Sequence, residues 1–211
     1  MGEECLVVPR RYLFGEYDER AFEGFRSVKQ WQFHLESIVQ KHGTYKPRKT
    51  PPGEYNVEND VAYKQIIPGA IFLYGDTIFT YTRLEGSGEK RMVGRNDIMI
   101  AGHINPQDQR ATYKETLWGA LHREFNEEVI HPDFYSLGDP IGYVNEDGTD
   151  LDKVHFGVVY RIQGRSPNIT VRETEAMRGS LLSMVELDQL TPPLQSWHKH
   201  IFDAYKRGEW K

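Results

Sequence analysis

The sequence predicts an α/β fold in which a mixed sheet lies between helices, preceded by an N-terminal elaboration. Two strand-like apolar runs, 65–84 and 154–162, flank an amphipathic stretch from Lys114 to Ile130. A second amphipathic stretch, Leu194 to Arg207, closes the chain; this alternation is the order expected of helices laid on a sheet. A segment rich in Pro, Gly and Lys, His42 to Asn56, reads as a loop. It sets a strand, helix and loop over residues 1–60 apart from a main domain over 61–211.

Taken in order, Cys5 to Pro9 is short and β-branched, and predicts an edge strand ended by Pro9. Residues 19–41 place Phe22, Phe25, Val28, Phe33, Leu35, Ile38 and Val39 at spacings that are helical in part. This N-terminal part offers packing, a lid or a homodimer surface, and packing is the expectation. Over 65–84 two apolar runs meet at Tyr74-Gly75-Asp76, a hairpin signal. A polar turn follows, and Met92 to Ile100 leads to Ala101-Gly102. From Ala101 to Lys114 the chain is polar and predicts an extended loop. Thr112 and Glu115 then have the spacing of a capping box. His131-Pro132 ends the helix. Residues 136–144, 154–162 and 168–172 read as strands, with a turn over Asn145 to Asp150. The segments 180–187 and 194–207 are amphipathic, the latter with Trp197, Ile201, Phe202 and Tyr205 at helical spacing.

Composition narrows the function classes. A net charge of -5 gives no global attraction to nucleic acid or to an anionic membrane. Neither is expected as a partner, and an anionic small molecule must be held by particular cations or a metal. The lone cysteine, Cys5, excludes an internal disulfide and a Cys-based zinc site; a reducing, cytoplasmic setting is the simplest fit. No leader-like or membrane-spanning run is expected.

The stretch KETLWGALHREFNEEVI carries most of the chemistry. At about 100° per residue, Leu117, Trp118, Leu121, Phe125 and Val129 form a core-facing stripe, and Glu124, Glu127 and Glu128 share one side beside Arg123. Like charges at such spacing repel, and an acid bordering the core loses solvation. Either solvent and Arg123 neutralise a surface patch, or a hard divalent cation does.

The wider spacing resembles the signature of the Nudix hydrolases, G-x5-E-x7-R-E-U-x-E-E-x-G-U, where U is apolar. Glu115, Arg123, Glu124, Glu127 and Glu128 match at fixed spacing and Phe125 fills the first U. Ile130 and His131 replace the closing Gly and apolar residue. Gln109 stands where the opening Gly belongs, but Ala101-Gly102 in IMIAGHINPQD lies about seven residues upstream, like the Gly-Gly turn of a branch labelled predicted phosphoesterases. The resemblance covers roughly residues 62–190 and implies an α/β/α sandwich. It implies a hydrolase that cleaves a diphosphate linkage in a small phosphorylated substrate, with Mg²⁺ or Mn²⁺ held by Glu124, Glu127, Glu128 and the Ala101 carbonyl.

Carried over in the same way, Arg123 orients a carboxylate, Glu115 holds the loop or that Arg, and Gly102 supports the turn. The general base is Glu124 in the first instance, with Glu173 and Glu175 as later-loop candidates. His103 could bind phosphate or cap a strand. Arg83, Lys90, Arg91 and Arg95 cluster around one turn as candidate substrate cations. The competing reading is a Nudix-fold nucleotide sensor without turnover, against which the three crowded acids argue. A third, an isopentenyl diphosphate isomerase, needs a Cys-and-Glu site, and Cys5 is remote from the motif.

Overall fold

A computed structural model of the chain describes residues 2–31, 33–86, 92–131 and 138–210. Strand β1 (Glu3–Pro9) leads into helix α1 (Arg10–Phe14), followed by β2 (Gly24–Ser27), α2 (Leu35–His42) and β3 (Thr44–Lys49). The hairpin β4 (Tyr63–Tyr74) and β5 (Thr77–Arg83) comes next, then β6 (Asn96–Asp97), β7 (Ile100–Ala101) and the long helix α3 (Tyr113–Glu128). After it come β8 (Val129–Ile130), β9 (Gly142–Asn145), α4 (Asp150–Lys153) and β10 (His155–Gln163). The last elements are β11 (Thr170–Val171), β12 (Met177–Ser183), α5 (Met184–Asp188) and α6 (Ser196–Lys206).

The main sheet runs β12-β5-β4-β10-β9-β2, with β1, β3, β6 and β7 attached at its sides. β10 lies parallel to β4 while the other pairings are antiparallel, so the sheet is mixed. Alternation along its two central strands builds a core on each face. Ile66, Ala70 and Phe72 of β4 join Phe156, Val158 and Tyr160 of β10 beneath Leu117, Leu121 and Phe125 of α3. Ile67, Ile71 and Leu73 point the other way, with Val159, onto Ile201 and Phe202 of α6. Each fully buried aliphatic or aromatic side chain contributes about 1.5–3 kcal/mol, so the two helices are pinned to opposite faces of an α/β/α sandwich.

α3 begins where the capping box predicts: Thr112 accepts from the Glu115 backbone N–H, and the Glu115 carboxylate accepts from the Thr112 N–H at 3.0 Å. It ends as Val129 turns extended and β8 pairs with β11. No described helix is long and apolar enough to cross a membrane.

Several expectations are corrected. The segment read as a loop over 42–56 contains β3, which among the described strands pairs with β1 alone; its residues TYKPRK carry the lysines and proline of an edge strand and hide it from an apolar pattern. β1 is therefore interior, between β3 and β4. Residues 19–41 are helical only in the run that becomes α2, Phe25 lying instead in β2. The amphipathic stretch 180–187 is strand through Ser183, because β12 alternates against β5 before Met184 starts α5. Between Ala101 and Lys114 the expected loop is present and holds a 3₁₀ turn over Pro106–Asp108 that buries Asp108. Pro132 and the start of the strand expected over 136–144 lie outside the described residues, and β9 is paired from Gly142.

Candidate active site

A cavity of about 540 Å³ opens beside α3. Arg123, Glu124, Glu127 and Glu128 face it from the helix, Ala101 from the end of β7, Gly102 and His103 from the segment after it, and Arg83, Arg95 and Asp97 from the β5–β6 side. One turn of helix spacing puts the three carboxylates on this wall, because the opposite face of α3 is committed to the core.

Arg123 is the organising group. Its Nε and Nη2 donate to the two carboxylate oxygens of Asp108 at 3.0 and 2.7 Å, and Nη2 also donates to the His103 carbonyl at 2.9 Å. Nη1 donates to Glu124 at 2.8 Å and to Glu127 at 3.3 Å. The planar fork suits this bidentate geometry, and the Asp108 hydrogen bonds push the Arg123 pKa up, so the cation is permanent. The partner of Arg123 is thus Asp108, whereas Glu115 is exposed and engaged in the capping box. Asp108 itself is only 3% exposed and accepts from the Asn105 N–H at 2.8 Å. Its signal in the sequence was the Asn-Pro-Gln-Asp spacing of a second capping box.

The acids are held in a costly state. Burial raises the Glu124 carboxyl above the usual range, against the lowering effect of Arg123. Burial likewise raises Glu128 to about 6, with Arg83 opposing it and Glu124 adding to it. One Glu128 oxygen is buried with no hydrogen-bond partner among the described residues, and Arg83 is 3.9 Å from the other. Gly102 leaves room for this cluster, since a Cβ there would stand 1.9 Å from the Glu124 carboxyl carbon. An unpartnered buried oxygen and crowded hard donors fit Mg²⁺ or Mn²⁺. Glu128→Gln is accordingly expected to stabilise the metal-free protein. The folded pKa exceeds the unfolded one, so stability present below pH 4 is lost as pH rises through about 6. At pH 8 the replacement should add about 2 kcal/mol, and the gain should vanish near pH 4. Thermal melts in EDTA at both values check it; an unchanged midpoint at pH 8 would count against the crowded site.

Of the other predicted residues, Arg83, Arg95 and His103 line the same cavity, whereas Glu173 and Glu175 do not. Arg83 donates to Asp97 and to the Tyr81 hydroxyl, each at 3.2 Å. Arg95 lines the cavity, and Lys90 and Arg91 lie outside the described residues. Glu173 and Glu175 are exposed on the turn before β12 and do not line the cavity. His103 meets His155, their Nε2 atoms 3.1 Å apart. Sequence reading also missed Asp97 and His198. The His198 ring is held by the Ile98 N–H on Nδ1 and lies 3.0 Å from Asp97 through Nε2. A hundred residues separate these partners, and no local pattern could join them.

No family model matches the chain. It is 28% identical over 207 residues to Protein YmaB of Bacillus subtilis, covering 96% of this chain and 97% of that one. Among solved structures it is similar to Tm1382, a candidate Nudix hydrolase, with a TM-score of 0.76 and 24% identity over 97% of this chain and 99% of that one. The Nudix domain of Shewanella oneidensis NrtR, complexed with ADP ribose, gives a TM-score of 0.50 and 12% identity over 69% and 88% of the two chains. The MutT protein of Methanosarcina mazei Go1 also gives 0.50, with 20% identity over 70% and 98%.

Proposed function

We propose that this chain, which has the Nudix fold, is a divalent-metal-dependent hydrolase that cleaves a diphosphate linkage in a nucleoside diphosphate derivative. The observation that carries the reading is the convergence of Glu124, Glu127 and Glu128 on one cavity wall, keyed by Arg123 and its buried partner Asp108. Glu124, Glu127 and Glu128 would hold Mg²⁺ or Mn²⁺, with the Ala101 carbonyl as a further donor. When bound, such an ion neutralises phosphate charge and lowers the pKa of coordinated water.

The chain's own residues divide the remaining work. Glu124, fixed by Arg123 and partly desolvated, takes the proton of the attacking water. Arg83 and Arg95 on the β5–β6 side supply positive charge for the phosphate oxygens. Ile67, Met99 and Trp197 in the same cavity offer an apolar surface for a base. That the NrtR Nudix domain was solved with ADP ribose supports a nucleoside diphosphate derivative as the class to try first.

The test is a screen of nucleoside triphosphates, nucleotide sugars, dinucleoside polyphosphates and dinucleotide cofactors with Mg²⁺ and then Mn²⁺. Metal-dependent appearance of two phosphorylated products from one of them is the expected result. Binding of such a compound with no turnover in either metal would put the sensor reading in its place.

A further inference from the structure

We propose a second metal site, separate from the acids of α3, in which Glu58, His103 and His155 hold Zn²⁺ or a similar imidazole-binding divalent ion. The three side chains offer ligand atoms that all lie within 4.8 Å of one another. Donors about 2.1 Å from one ion stand about 3.0–3.4 Å apart at angles between octahedral and tetrahedral. The two imidazole Nε2 atoms, at 3.1 Å, already have that separation. The Glu58 carboxylate, within 4.8 Å of both, must close part of the remaining distance to join them.

The surroundings are those of oriented ligands. His155 Nδ1 is 2.6 Å from the Leu151 carbonyl, which can only accept, so the ring proton sits on Nδ1 and the Nε2 lone pair faces His103. Glu58 is held from behind by Arg48, whose Nε donates to it at 2.6 Å. Arg48 also donates to Glu3 at 2.8 Å, and its charge is shared between two carboxylates. Two imidazoles and one carboxylate favour a softer ion than the all-oxygen cluster of α3 does.

The three ligands come from distant parts of the chain. Glu58 sits in a 3₁₀ turn over Val57–Asn59, capped by Asn56, after β3. His155 opens β10, and His103 follows β7 with its carbonyl gripped by Arg123 at 2.9 Å. Both histidines line the cavity described above. An ion here would tie the N-terminal segment to the wall of that cavity, giving residues 1–60 a role in building it. This inference holds whether or not the chain is a hydrolase.

The test titrates Zn²⁺ into the metal-free full chain carrying Glu124→Gln, Glu127→Gln and Glu128→Gln, and into the same chain with His103→Gln or Glu58→Gln added. The first should bind one Zn²⁺ per chain and melt at a higher temperature with it. Each added replacement should weaken binding by about 10-fold or more and abolish the shift in melting. Binding that is absent from the triple variant, or indifferent to both added replacements, would overturn the site and leave a His103–His155 hydrogen bond. Should the triple variant not fold, wild type against His103→Gln gives the same reading: the Zn²⁺ bound per chain should fall by one, and an unchanged stoichiometry would overturn it.

Discussion

Glu124→Gln is expected to lower turnover by about 10²- to 10³-fold at saturating Mg²⁺, the cost of removing one charge-stabilising group in a site of this kind. Gln keeps the size of the side chain and its hydrogen bond from Arg123, so the loss would report charge and not packing. Glu127→Gln and Glu128→Gln belong to the same severe class, through the metal. Glu115→Gln serves as the internal contrast. Its carboxylate caps α3 at the exposed helix start, so it should cost about 0.5–1 kcal/mol of stability and leave turnover within about twofold of wild type. With a hydrolysable substrate in hand, retention of more than about half of wild-type turnover by all three severe-class variants would sink the catalytic reading of α3.

Asp108→Ala should have the largest effect on stability. Asp108 is 3% exposed and takes both ends of the Arg123 fork. Removing one partner of a buried ion pair leaves the other charge poorly compensated and costs about 3 kcal/mol or more. Arg123 would keep Glu124 and the His103 carbonyl, which limits the loss but leaves it free to pull Glu124 out of position. Denaturant melts of Asp108→Ala, Arg123→Ala and the double variant give the coupling directly. Additive losses would mean that the pair is incidental, whereas the double variant should be little worse than either single one.

How much of this could be read beforehand depended on whether the signal was local. The acids of α3 and its cap are set by spacing within one helix, and the strands β4, β5 and β10 by runs of apolar residues dense enough to be buried on both faces. β3 was hidden because an edge strand is specified by polar residues and by its partner β1, not by periodicity. Asp108 was missed for a different reason: the motif supplied Glu115 as the partner for Arg123, and only the 3₁₀ turn after Asn105 brings another acid under the guanidinium. Asp97 with His198, and Glu58 with His103 and His155, are assembled by the sheet from residues far apart in the chain. No window of sequence contains them.

Calorimetric titration of Mg²⁺ decides whether the carboxylates of α3 hold a hard divalent ion, because imidazoles compete poorly for that ion. Wild type should bind Mg²⁺, and the Glu127→Gln/Glu128→Gln variant should bind it at least about 10-fold more weakly, or not measurably, while melting as a folded protein. Equal affinities in the two proteins would mean that these carboxylates do not hold the ion.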